Sequence, residues 1–423
     1  MSTIHEELKA RGFVQQETAP VQVFHPTTHE LLETLSLKNL LNNSRITYYV
    51  GFDPTADSLH IGHLLPIMAM THLQRAGHTP IAIIGGGTTM IGDPSGKTET
   101  RQMLSKEVIA SNGQRLLAQL KHYLDFGQGK GLFVNNAEWL LPLNYIEFLR
   151  DIGKHFRVNE MVRTTAYAER LAREEGLSFI EFNYQLLQAY DFLVLYEKYG
   201  CTVQMGGDDQ WSNILAGIDL IRKVKQGNAH ALTFPLLTTA SGKKMGKTES
   251  GAVWLDSAKT SPYEYYQYWI NTEDGDVEKF LKLFTFLPLE KITELCARGG
   301  QHLRTAKEAL AFETTKITHG EVEAIKAQNV SRELFSGKGS EASHLPSTAI
   351  SQTEVDKLRL VEVLVRVGLS SSKTEAGKLI TSGGVYANGE RVIDAKVMLS
   401  ELLVDGTVLL RKGQKTFHKV VVG

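Results

Sequence analysis

Residues 46–77 read ITYYVGF, then DPTADSL, then HIGH, then LLPIMAMTHLQRAG. The first seven are β-branched and aromatic, the composition of a buried strand. The run after His63 has helical length and stops at Gly77, a residue suited to the left-handed position beyond a helix C-terminus, and Pro66 fits only its first turn. Residues 80–84 form a second apolar stretch that runs into Gly85-Gly86-Gly87. Strand, helix and strand within about 40 residues make the βαβ unit of a parallel sheet. Ligands bind such sheets beyond the carboxyl ends of the strands, so Asp53-Pro54-Thr55 and the polar stretch 85–97 should face one crevice.

The pattern recurs. Residues 201–205 read as a short strand, Gly206-Gly207-Asp208-Asp209-Gln210 as its loop, and 211–225 as an amphipathic helix. Residues 234–239 lead into Ser241-Gly242-Lys243-Lys244-Met245-Gly246-Lys247-Thr248, too polar to pack and expected to be a mobile loop. Roughly 102–185 is helical in character, an insertion that widens the crossover, and 260–334 is again mostly helical. A Gly/Ser/Pro-containing linker follows. Beyond it a helix starts near 355, Ser372-Lys373-Thr374-Glu375 fits a capping box, Asn388-Gly389 marks a hairpin, and 407–422 supply a further strand pair. That end is a small α+β unit.

At 423 residues the chain has room for two or three domains of roughly 100–200 residues. Its 42% hydrophobic and 22% charged residues are ordinary globular composition, and 46 Lys and Arg against 47 Asp and Glu give a net charge of −1. Taken whole, that balance carries no nucleic-acid signal. Residues 355–423 alone, however, hold eleven Lys and Arg against seven Asp and Glu, so a +4 tail is hidden behind −5 elsewhere. No uncharged apolar run approaches the roughly 20 residues that span a bilayer, and the acidic start, with Glu6 and Glu7, is unlike a signal or transit peptide. A cytoplasmic protein is expected. Cys201 and Cys296 are too few and too far apart for a disulfide framework or a thiolate zinc site, and both are expected to be buried and inert.

Four constellations could carry chemistry. His60-Ile61-Gly62-His63 opens a helix after a strand, where unpaired amides and the helix dipole attract phosphate and Gly62 lets a ligand approach. A structural histidine pair and a His-x-x-His metal site are the alternatives, and no third ligand accompanies them. Gly96-Lys97-Thr98 is not a P-loop, because position 91 is Ile where that motif needs Gly; a dinucleotide fingerprint at Gly85-Gly86-Gly87 fails at Met90. Asp93 and Lys97 stand beside that strand exit. Lys243, Lys244 and Lys247 are either a solvated basic loop or the polycation that stabilises departing pyrophosphate. Tyr184, Gln188 and Asp191 share one face of an otherwise apolar helix and therefore either face solvent or line a pocket; the scarcity of polar neighbours favours the pocket.

Together these motifs resemble the bacterial-type tyrosyl-tRNA synthetases, class I enzymes. The resemblance rests on residues 51–63 (GFDPTADSLHIGH), 91–97 (IGDPSGK), 188–192 (QAYDF), 206–210 (GGDDQ) and 244–248 (KMGKT), in that order and over nearly the whole chain. It implies an α/β fold: a Rossmann-like parallel-sheet catalytic domain over 1–235 with its helical insertion at about 102–185. The lysine loop and an α-helical tRNA-binding domain would follow over 236–335, then a linker over 336–354. A small α+β RNA-binding domain over 355–423 would resemble the alpha-L motif of a small-subunit ribosomal protein. The synthetase for tryptophan is the nearest relative of this family, but its pattern lacks the Gly-Phe-Asp-Pro-Thr run. An RNA-binding protein that keeps the fold without catalysis is the other alternative, and intact His60-Ile61-Gly62-His63, Lys244, Lys247 and Asp191 speak against it.

By this resemblance the chain joins tyrosine and ATP into tyrosyl-adenylate and pyrophosphate, then transfers tyrosine to the terminal adenosine of its tRNA. Tyr49 and Asp191 would hold the phenolic hydroxyl, and Asp93, Tyr184 and Gln188 the ammonium. Gln204 and Gln210 would lie near the carboxylate and Asp209 near the ribose. Thr55 and His60 would meet the outgoing phosphates with Lys244, Lys247 and Thr248, aided by Lys97 and Arg101. Gly51, Asp53, Gly62 and His63 would sit nearer the nucleotide. Mg²⁺ would accompany ATP without a protein-bound metal, and a homodimer would form through the helical insertion. Two departures stand out. Val50 occupies a position where several relatives carry a ribose-contacting cysteine, and the lysine loop reads KMGKT rather than the KMSKS of the wider class.

Overall fold

Four of the six strands in the first sheet are short apolar segments with side chains buried on both faces, which is what a sheet covered by helices on both sides requires. A computed structural model describes residues 3–24, 31–95, 104–172, 176–240, 242, 245, 247, 248, 251–297, 301–335, 347–413 and 416–423. The strands are β1 (Gln16–Glu17), β2 (Thr47–Phe52), β3 (Thr79–Ile84), β4 (Leu132–Asn135), β5 (Cys201–Gly207) and β6 (His230–Phe234). Their order is β1-β6-β5-β2-β3-β4, parallel throughout except for the antiparallel edge pair β1·β6. The chain leaves β2 toward β3 on one side and returns to β5 on the other. That reversal places the switch point between β2 and β5, where Tyr49 is in register with Gln204.

The predicted βαβ unit is present. Helix α1 (Leu64–Arg75) follows a single 3-10 turn (Ile61–His63), and Gly77 takes the expected positive φ, +98°. The insertion is not purely helical. It holds helix α2 (Lys106–Leu120), but its residues 132–135 form β4 and extend the sheet beside β3. A four-residue strand of the sequence Leu-Phe-Val-Asn has no periodicity long enough to separate it from a helical segment. Helix α3 (Phe179–Tyr199) carries a full capping box, Ser178 with Glu181, and ends on Gly200 at φ +61°. Helix α4 (Trp211–Lys225) packs on α3, and Phe192, Leu193, Leu220 and Ile221 join Tyr49 and Ile81 in one core. An added Cβ at Gly217 would stand 2.9 Å from Phe192 Cδ1, so glycine sets the closeness of that helix pair.

The chain divides into two compact units: Met1–Met245 with Lys279–Leu289, and Gly246–Glu278 with Glu290–Gly423. The second unit begins with a two-residue pairing of Lys247–Thr248 with Gly251–Ala252 and continues into helices α5 (Pro262–Ile270), α6 (Gln301–His319) and α7 (Glu321–Phe335). Its five-stranded sheet joins β7 (Ser347–Ile350), β8 (Val385–Ala387), β9 (Glu390–Val392), β10 (Thr407–Lys412) and β11 (Thr416–Val422) in the order β7-β11-β10-β8-β9. Strand β7 falls within the stretch read as linker and pairs with β11, so this sheet begins ahead of residue 355. Helices α8 (Leu360–Arg366) and α9 (Lys373–Thr381) cover it around a separate apolar core. The Asn388-Gly389 turn has φ +50° and +88°, the geometry a two-residue hairpin demands. Of the two cysteines, Cys201 is buried, but Cys296 is partly exposed, because it lies at the end of a short helix rather than in a strand.

Candidate active site

A cavity of about 640 Å³ opens beyond the carboxyl ends of β2, β3 and β5. It is lined by Tyr49, Val50, Gly51, Asp53, His60, Gly62, His63, Asp93, Tyr184, Gln188, Asp191, Gln204, Asp209 and Gln210 among others. Five separate sequence segments thus converge on one crevice, as the βαβ reading requires.

The histidine turn is arranged by backbone amides. His60 Nδ1 accepts from the Gly62 N–H at 3.0 Å, and His63 Nδ1 accepts from the His60 N–H at 3.1 Å. The two rings lie 4.1 Å apart, centroid to centroid. A Cβ on residue 62 would stand 2.7 Å from His60 Cε1, so Gly62 makes room for the imidazole of its own neighbour. The glycine triplet behaves likewise. An added Cβ at Gly85 would fall on Asp53 Oδ1 and Thr88 Oγ1, at Gly86 on Asn135, and at Gly87 on Leu140. Gly85 and Gly86 thus admit the protein's own polar groups to the end of β3, and Gly87 admits Leu140.

Asp191 is a buried carboxyl with a shifted pKa. It is 4% exposed, its Oδ1 accepts from Trp139 Nε1 at 2.7 Å and its Oδ2 from Asn136 Nδ2 at 2.8 Å. Burial pushes its pKa up to about 7; the two donors oppose this and the charge of Asp53 adds to it. Asn136 also donates to Thr88 Oγ1 at 3.0 Å, Thr88 donates to Asp53 Oδ1 at 3.0 Å, and Tyr184 donates to Asp53 Oδ2 at 3.3 Å. Trp139, Asp191, Asn136, Thr88, Asp53 and Tyr184 are therefore one continuous network. On its edge the Tyr49 hydroxyl, the Gln188 Oε1 and the Gln204 Oε1 are buried without a hydrogen-bond partner among the described residues. Burial, reinforced by Asp191 and Cys201, raises the Tyr49 phenol well above its usual range, so it is a neutral donor.

On the opposite wall Asp93 accepts from the Ser95 N–H at 2.9 Å and from Gln210 Nε2 at 2.8 Å. The 206–210 turn is tied to the sheet edge, where Asp208 Oδ1 accepts from Gln16 at 2.7 Å and from Thr233 at 2.8 Å.

Most residues expected from sequence are thus gathered. Thr55 is exposed and does not line the cavity, since the chain turns back there with its N–H donating to the Asp53 carbonyl at 2.8 Å. Lys97, Arg101 and Lys244 lie outside the described residues, as do the side chains of Lys247 and Thr248. Sequence reading missed Asn136 and Trp139, which sit in the insertion. The signal was there: apolar Leu132-Phe133-Val134 runs into Asn135-Asn136-Ala137-Glu138-Trp139, the polar exit of a strand.

Residues 41–336 match the family described as tRNA synthetases class I (W and Y), and 339–420 match the tyrosine–tRNA ligase SYY-like C-terminal domain. The chain is 51% identical to the tyrosine–tRNA ligase of Caldanaerobacter subterraneus subsp. tengcongensis over 99% of both chains. It is 49% identical to that of Clostridium tetani over 100% of this chain and 99% of the other. Among solved structures it resembles a C-terminally truncated mitochondrial tyrosyl-tRNA synthetase of Aspergillus nidulans, with TM-score 0.67 and 31% identity over 79% of this chain and 95% of that one.

Proposed function

The chain belongs to the tyrosine–tRNA ligases of the class I aminoacyl-tRNA synthetases, and on that premise we propose how its residues divide the work. The reaction is tyrosine tRNA aminoacylation, with tyrosine, ATP and tRNA(Tyr) as substrates. In the first step an oxygen of the tyrosine carboxylate attacks the α-phosphate of ATP, and the bond to pyrophosphate breaks. In the second the 3′-terminal adenosine hydroxyl of the tRNA takes the tyrosyl group and AMP leaves. No side chain of the enzyme needs to be a covalent nucleophile, so catalysis is positioning and charge stabilisation.

In our reading Tyr49 and Asp191 hold the phenol, Asp93, Tyr184 and Gln188 the ammonium, and Gln204 and Gln210 the carboxylate side. Asp209, Gly51 and Asp53 face the nucleotide with Gly62 and His63. Thr55 and His60 act on the departing pyrophosphate with Lys97, Arg101, Lys244, Lys247 and Thr248, the last five assigned from their motifs. Mg²⁺ comes with ATP; among the described residues no group of three or more His, Cys, Asp or Glu could hold a metal ion. A homodimer through the insertion fits the exposure of Tyr145, Ile146 and Phe179, 56%, 70% and 68% respectively. Among the described residues no helix is long and apolar enough to cross a membrane, and we place the enzyme in the cytoplasm.

The observation that carries the assignment is the set of buried unpartnered atoms on Tyr49, Gln188 and Gln204 around the Asp191 network. Each such atom costs about 1–3 kcal/mol unless a ligand satisfies it, and a phenolic amino acid brings the missing groups. A ring without the hydroxyl would leave the Tyr49 hydroxyl without a partner and give Asp191 nothing beyond its Trp139 and Asn136 donors, which explains rejection of phenylalanine. Asp191→Ala should abolish tyrosine-dependent ATP–pyrophosphate exchange; a variant that exchanges at the parent rate would remove Asp191 from the site.

A further inference from the structure

Helix α2 lies within the insertion and outside every motif in the sequence, yet one of its faces is built onto the active-site loop. Asn112, Arg115 and Gln119 are three and four residues apart and share that face. Buried Asn112 donates Nδ2 to the Pro54 carbonyl at 3.1 Å. Arg115 Nη1 donates to Asp57 Oδ2 at 3.0 Å. Gln119 Oε1 accepts from the Leu59 N–H at 2.9 Å and from Ser58 Oγ at 3.3 Å, and its Nε2 reaches the same hydroxyl at 3.2 Å. The loop that carries Thr55 and enters His60 is thereby pinned at three points. The close seat of the helix is set by Gly113, where a Cβ would stand 3.2 Å from Ile84 Cγ2 at the end of β3.

The three contacts are unequal. The Arg115–Asp57 pair is open to solvent, with side chains 57% and 34% exposed, and contributes little. Asn112 and Gln119 instead satisfy main-chain groups, a carbonyl and an amide that belong to no strand or helix, and so fix the path of the backbone itself. The His60 imidazole accepts from the Gly62 N–H of the same turn, so its direction is coupled to that path.

We propose that α2 is a positioning element for adenylate formation: Asn112 and Gln119 hold the 54–59 backbone so that His60, which lines the cavity, and Thr55, exposed on the same loop, meet the departing pyrophosphate. This rests on the reading of Thr55 and His60 as residues that bind the departing phosphates. Neither Asn112 nor Gln119 lines the cavity; both act through the loop.

The full-length enzyme tests this by steady-state ATP–pyrophosphate exchange. Gln119→Leu should lower kcat about tenfold, since small displacements of catalytic groups are costly. The KM for tyrosine should stay within about twofold, because tyrosine binds away from the loop. Gln119→Glu keeps an acceptor for the Leu59 N–H and should recover most of the rate. Unchanged kcat in Gln119→Leu, a loss that Gln119→Glu does not recover, or an equal loss in kcat and tyrosine affinity would each overturn the proposal. His60→Ala separates the two layers. If it leaves exchange intact, the phosphate role of the loop fails; if it slows exchange while Gln119→Leu does not, only the clamp fails. Should Gln119→Leu not fold, Asn112→Ala, which frees the Pro54 carbonyl, is read in the same assay with the same expectations.

Discussion

Burial and function pull in opposite directions at Asp191. As an acceptor for a phenolic O–H it must be ionised, yet burial raises its pKa to about 7 against the two donors that favour the charged form. The tyrosine KM should therefore rise as pH falls through about 7, reaching roughly ten times its plateau one unit below the pKa. Exchange kinetics across pH 5.5–8.5 measure this, and a tyrosine KM flat over that range would contradict it. The stability consequence has the opposite sense. A folded-state pKa above the unfolded value gives a contribution that is fully present below about 4 and lost as pH rises through about 7, so the ionised, functional form is the less stable one.

At the level of elements, the end of β3 shows what the glycine triplet is for. Its sequence permits any close approach to the backbone; in the fold the approaching group is Asp53, which bridges Thr88 and Tyr184. Gly85→Ala would displace that carboxylate and pull the network apart. Exchange activity should fall by about tenfold to a hundredfold with the far-UV circular dichroism unchanged, because the strand itself keeps its pairing. Activity near the parent level would mean that Asp53 moves without consequence. The elements with long apolar runs, α1, α3 and α4, are legible from periodicity, whereas β4 is not, since four residues carry no period.

For the whole molecule, net charge was a misleading guide. The +4 of residues 355–423 belongs to a unit with its own apolar core, Ile350, Leu360, Leu364, Val385, Leu410 and Val420 among it. A polyanionic partner needs a local positive surface rather than a positive total. Because β7 pairs with β11, a truncation that respects the fold removes 347–423 rather than 355–423. Such a truncation should spare ATP–pyrophosphate exchange and weaken tRNA charging, most strongly at low salt, and should leave charging with a shallower salt dependence than the parent. Aminoacylation with the parent salt dependence in the truncated protein would exclude a role for this unit in holding tRNA.

The sequence by itself determined the parallel βαβ core, the placement of its motifs at strand ends, the hairpin at Asn388-Gly389 and the family, because periodicity, turn chemistry and short motifs are local properties. Only the tertiary structure decided what completes the site. Trp139 and Asn136 reach Asp191 across 52 and 55 residues, and Gln119 reaches Leu59 across 60. Such partners are chosen by proximity in space. The polar exit after residues 132–134 marks Asn136 and Trp139 as lying at a strand end, but nothing local names the carboxylate they meet, and Gln119 carries no such mark at all.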